Sequence, residues 1–200
     1  MSFVRKIHPA LWAGTAAAVL AAITLACADA SRQEPGDIAF AAGPTPPNVP
    51  TDYREQLAAL RQATVAFQDP GRAAQAGYAT PITNCWFFSG MGGMGFHYAD
   101  THLIDGTVDL MHPEALMYEP MPGGQLHFVG LEYLVPINQW QGSGTPTLLG
   151  QTFGRNDALG LYFLHIWLWR DNPAEHHIFA DWNPKVSCDN TADKTDLSAN

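Results

Sequence analysis

Three side chains place proton-exchanging or metal-binding chemistry in apolar surroundings. His165 lies in the run LYFLHIWLW, residues 161–169, which holds no charge and no glycine. Such a run reads as a strand buried on both faces. Alternation assigns Phe163, His165, Trp167 and Trp169 to one side and Tyr162, Leu164, Ile166 and Leu168 to the other. An imidazole on that wall must find hydrogen-bond partners or a metal, because an unsatisfied buried polar group is costly. Glu132 poses the same problem within residues 126–135, where alternation puts it beside Phe128, Gly130 and Leu134. A buried carboxylate needs a cation, a metal or several donors. A contact between Glu132 and His165 would answer both needs and would fix the imidazole tautomer. The competing reading is a one-sided strand with Glu132 in water.

His97 closes the pattern Met91-x-x-Met94-x-x-His97 on a glycine-rich turn. Thioether and imidazole donors suit copper, Cu(I) above all, although methionine is equally an adaptable filler of cores. If His97, Glu132 and His165 converge, their two imidazoles and one carboxylate suit copper, zinc or non-haem iron. With Trp167 and Trp169 they would then line a pocket for a metal or a small ligand. His102 and His112 fall in an acidic loop and read as solvated, and His127 opens a strand. The adjacent His176 and His177 point to opposite sides of an extended chain, which does not suit one shared ion. The chain contains no G-x-S-x-G, H-E-x-x-H, P-loop or dinucleotide fingerprint, so catalytic residues stay unassigned.

The elements that must position these residues follow from the rest of the chain. Residues 1–30 read as a signal peptide, with Arg5 and Lys6 ahead of an apolar stretch and a small-x-small site at Ala28-Asp29-Ala30. Cys27 is an alternative lipid-anchoring site, but Thr24 stands where a lipobox carries leucine, so ordinary cleavage ranks first. Export to the periplasm or the exterior is therefore expected, with no transmembrane segment after processing. In that oxidising setting Cys85 and Cys188 form an even pair and are expected to be joined. Closing a loop of that length contributes about 4 kcal/mol in the chain-entropy picture.

Residues 31–50 read as a proline-rich linker, 51–188 as one globular domain and 189–200 as a disordered polar tail. Without Arg5, Lys6 and Asp29 the remainder has 8 basic and 18 acidic side chains, which argues against nucleic acid as a partner. Residues 51–68 carry the clearest helical stripe, through Leu57, Leu60, Thr64 and Phe67, and 72–76 a short second helix. Beyond residue 82 the pattern turns to strands, among them 82–88, 115–119, 126–135, 161–169 and 177–182, with a long glycine-rich loop over 136–160. The expected class is α+β, an N-terminal helix packed on a mostly antiparallel sheet that rolls into a partial barrel.

Several motifs together resemble a family of exported bacterial proteins for which no activity is established. They are Ala76-Gly77-Tyr78, Met94-Gly95-Phe96-His97-Tyr98, Pro113-Glu114-Ala115-Leu116, Tyr118-Glu119-Pro120, Leu131-Glu132-Tyr133-Leu134-Val135-Pro136, Leu164-His165-Ile166-Trp167-Leu168-Trp169, and Asp181-Trp182-Asn183-Pro184-Lys185-Val186-Ser187-Cys188. The resemblance spans residues 53–188 and implies that His97, Glu132, His165, Trp167 and Trp169 belong to the family's pattern. It implies no reaction. Three roles remain open on this reading: a module binding a metal or small ligand, a structural envelope protein, and a metal-dependent enzyme at the same residues.

Overall fold

In the computed structural model, which describes residues 53–199, the first described element is helix α1, Tyr53–Thr64. Leu57, Leu60 and Thr64 form its buried stripe, and the Thr64 hydroxyl donates to the Leu60 carbonyl. Helix α2, Pro70–Gln75, starts with proline in its first turn, and the Asp69 carboxylate caps it by accepting from the Gly71 N–H at 2.8 Å. The signal segment, Cys27 and the linker lie outside the described residues.

Ten strands follow: β1 Thr80–Pro81, β2 Cys85–Phe88, β3 Gly92–Ala99, β4 Ala115–Pro120, β5 Leu126–Pro136, β6 Thr147–Leu148, β7 Gln151–Thr152, β8 Gly154–Asn156, β9 Leu161–Ile166 and β10 Lys194–Asp196. One sheet runs in the order β10-β2-β3-β4-β5-β9-β8, with β1 added on β3, while β6 and β7 pair separately. Its pairings are antiparallel except between β10 and β2. The sheet curls strongly into a half-barrel with a helix packed on it, the expected α+β arrangement.

The two sheet faces differ in content. One packs Leu116, Tyr118, Phe128, Leu131, Tyr133, Tyr162, Leu164 and Ile166 against Leu57 and Leu60 of α1. The other carries two smaller groups, Ala99, Ala115 and Leu134, and Met117, Val129, Trp167 and Val186. A register shift in the pairing of β4 with β5 sets Met117 opposite Gly130 but Tyr118 opposite Phe128, skipping Val129. That bulge reverses the alternation, so Phe128 joins the helix-side core instead of the face of Glu132. Gly130 admits no side chain: a Cβ there would stand 2.7 Å from the Ile166 carbonyl oxygen on β9.

Four expected elements take other forms. The loop expected over residues 136–160 contains β6, β7 and β8. Strand β9 ends at Ile166, where the Trp167 N–H turns to donate to the Ile178 carbonyl. Residues 177–182 do not form a strand. His176 and His177 hold φ of 69° and 46°, left-handed values that break an extended chain, and a short 3-10 turn, His177–Phe179, follows. Residues 189–199, expected without order, instead supply β10 and a 3-10 turn, Leu197–Ala199. The Cys85–Cys188 disulfide holds this segment beside the open edge of β2, with Lys194 opposite Cys85. Such tethering reduces the ordering entropy that a three-residue pairing must overcome. Among the described residues no helix is long and apolar enough to cross a membrane.

Candidate metal centre

The sheet brings His97, Glu132 and His165 together on the face away from α1. Glu132 on β5 and His165 on β9 are directly opposed in register, the closest side-chain relation that paired strands offer. His97 comes from β3, two strands from Glu132. Ala115 on β4 lies opposite both Glu132 and Ala99, two residues beyond His97 on the same face. The small, fully buried Ala115 leaves the imidazole room to reach the carboxylate diagonally across β4. Gly95 shapes the approach from the other side. Its φ is +86°, and a Cβ there would stand 2.3 Å from the Tyr118 carbonyl oxygen, so the bulge two residues before His97 requires glycine.

His165 Nε2 lies 3.2 Å from Glu132 Oε1, and His97 Nε2 lies 3.5 Å from Glu132 Oε2. His97 and His165 are 0% and 1% exposed and Glu132 9%, so all three are removed from bulk water. The Thr83 hydroxyl holds His97 from behind: it accepts the His97 backbone N–H at 3.1 Å and meets the ring Nδ1 at 2.9 Å. Within the trio two buried ring atoms have no hydrogen-bond partner among the described residues, His97 Nε2 and His165 Nδ1. Each such orphan costs about 1–3 kcal/mol in a dry setting.

Charge within the group is balanced. Burial pushes the His97 imidazole down to about 4, against the pull of Glu132 and with the repulsion of His165, so His97 is neutral. Burial also opposes a charge on His165, yet the nearby Glu132 carboxylate and the Asp181 carboxylate and main chain together hold it above the ordinary imidazole value. That Asp181 main chain stands near His165 without reaching hydrogen-bond geometry at Nδ1. The Glu132 carboxyl is opposed by burial but drawn below its usual range by the two imidazoles. One negative and one positive charge therefore offset each other beside a neutral imidazole.

The same three residues each offer one ligand atom, and these atoms lie within 4.8 Å of one another. Donors bound to zinc at about 2.0–2.1 Å with tetrahedral angles stand about 3.3 Å apart, close to the two contacts with Glu132. Beside the group lies a cavity of about 180 Å³ that Glu132 and His165 line together with Trp86, Met94, Phe163 and Trp182. The bulge at Gly95 brings Met94 to this cavity, while Met91 is 49% exposed and lines a different one, so the methionine-histidine turn does not act as a unit.

Trp167 is buried beside His165, ring centres 6.2 Å apart, with its indole N–H donating to the Ala180 carbonyl at 2.6 Å. Trp169 lies beyond the end of β9 and packs on Phe128 in the helix-side core, away from the cavity. Glu119, also buried, accepts the Ser187 N–H at 3.0 Å and faces Arg170 at 3.5 Å, so it ties the C-terminal segment to β4 instead of joining Glu132. His102 and His112 pair with Asp100 and Asp109 in an exposed loop. Thr83, Trp86, Asp181 and Trp182 are additions of the structure, and Phe163 joins them from the side that alternation shares with His165. Thr83 carries no sequence signal, whereas Asp181-Trp182 could have been flagged as an acid and an aromatic in the segment after the histidine strand. Compared with protein-family models, curated proteins and solved structures, the chain matches none of them.

Proposed function

We propose that this chain is an exported β-rich domain, a member of the bacterial family its motifs resemble, that binds one divalent transition metal through His97, Glu132 and His165. The observation that carries the reading is His97 Nε2, a fully buried nitrogen without a hydrogen-bond partner, held 3.5 Å from Oε2 of a carboxylate whose other oxygen meets a second imidazole. An ion between the three would satisfy that nitrogen and take over the charge role of the proton on His165. For ligation through Nε2, His97 carries its proton on Nδ1 and donates it to Thr83, the outer support usual for ligand histidines. Two nitrogens and one oxygen favour zinc or iron(II), and copper(II) competes on affinity. The absence of sulfur from the trio argues against Cu(I).

Elemental analysis of the native, untagged protein, followed by calorimetric titration of EDTA-treated protein with zinc, iron(II) and copper(II), tests this. One ion per chain, lost in His97→Ala, is expected. A metal-free native protein that takes up none of the three ions refutes it. The neutral charge balance of the trio favours a second reading, a structural envelope domain whose polar core satisfies itself. That role predicts His165→Ala to lower stability and leave metal content at zero in both proteins.

A further inference from the structure

We infer that the cavity beside the trio receives a small neutral ring compound with a single hydroxyl group, of which phenol is the simplest. This deepens the reading of the same site and shares its residues Glu132 and His165. Size sets the first limit. A dry cavity of about 150 Å³ holds benzene, so the 180 Å³ here takes a body of about six to ten non-hydrogen atoms. Shape sets the second. Trp86, Phe163 and Trp182 contribute three aromatic walls, and Leu134 and Leu161 fill between them. Ring edges and faces favour a flat aromatic guest in offset or edge-on contact.

Polarity sets the third limit. Of the titratable and amide side chains on the wall, only the adjacent Glu132 and His165 are buried. Asp181 is exposed and belongs to the rim, and the Asn156 side-chain oxygen is occupied in accepting the Leu159 N–H at 3.0 Å. Glu132 Oε1 already meets His165, so Oε2 is the acceptor that an entering hydroxyl finds. A sugar would strand several hydroxyls against apolar walls, at about 1–3 kcal/mol each. An ionised acid would meet both Glu132 and Asp181 in a chain of net charge −9.

Leu159 lines the cavity and is 54% exposed, which marks it as the mouth. The test is calorimetric titration of the full-length protein, EDTA-treated and zinc-loaded, with phenol, and of the EDTA-treated form with benzene, benzoate and glucose. Saturable binding of one phenol per chain is expected, at least tenfold tighter than benzene or benzoate, with no heat from glucose. Leu159→Trp, a change at an exposed position, should weaken phenol at least tenfold without altering zinc content or the melting midpoint. No saturable phenol binding, benzene or benzoate binding as tightly, or an unaltered affinity in Leu159→Trp overturns the inference. Zinc uptake without phenol binding would leave the metal centre standing and remove this ligand. Phenol binding without uptake of any metal would do the reverse.

Discussion

Replacing Glu132 by glutamine tests the charge pairing at the heart of the sheet, because the amide keeps the shape and removes the charge, with one acceptor oxygen exchanged for a donor NH2. The carboxylate faces His165 at 3.2 Å with both groups buried. Removing one partner of a buried pair costs about 3–5 kcal/mol when the other stays charged. Here the imidazole can release its proton instead, at about 1.4 kcal/mol per pH unit, so the cost must depend on pH. In the wild type the folded His165 titrates above its ordinary value and Glu132 below its own. The His165 contribution is therefore full below the unfolded imidazole value of about 6.5 and is lost as pH rises through the folded one. The Glu132 contribution is full above about 4.3 and is lost as pH falls through its lower folded value. At pH 5.5 both are present. Urea unfolding of EDTA-treated, disulfide-intact protein should show Glu132→Gln less stable by about 3 kcal/mol at pH 5.5 and by about 1 kcal/mol or less at pH 9. An equal loss at both values, or a larger one at pH 9, would show that the pair is not ionised and would refute the reasoning.

Three further outcomes follow from named contacts. Thr83→Val removes the hydroxyl behind His97 Nδ1 and should cost about 1–3 kcal/mol by urea unfolding. Calorimetry should also show metal affinity about 10–100-fold weaker. Cys85→Ser with Cys188→Ser opens a link across 103 residues and should cost about 2–5 kcal/mol in thermal unfolding. The same variant should speed amide exchange in β10, which depends on that tether. Gly95→Val would drive a Cβ against the Tyr118 carbonyl oxygen, so circular dichroism should show a melting midpoint at least 10 °C lower or no cooperative transition, consistent with a loss of about 3 kcal/mol or more.

Two members of the buried trio, Glu132 and His165, were legible in the sequence because each breaks a local rule. An imidazole amid LYFLIWLW and a carboxylate amid LHFVGLYLV both demand partners, and that demand can be read without coordinates. Their meeting could not be read. It depends on a register that opposes Glu132 to His165, and on an alanine at position 115 that clears the diagonal to His97. Pairing register is a long-range property that neither segment specifies alone. The two bulges, at Val129 and near Gly95, also escaped alternation, and they decide which way Phe128 and Met94 turn. Strand alternation carried past Ile166 sets Trp169 on the side of His165, but the chain leaves the sheet there. Lys194-Thr195-Asp196 carries no apolar signal, and only its position downstream of the disulfide explains why it pairs.

All three members of the trio sit within paired strands, none on a loop. Their spacing is thus set by backbone hydrogen bonds shared with the whole sheet, and it cannot widen to suit a larger guest. A cation such as calcium, which wants six to eight oxygens at about 2.3–2.6 Å, finds one buried carboxylate between two imidazoles there. Discrimination among ions would be exerted by the stiffness of the pleat, before ligand softness is consulted at all.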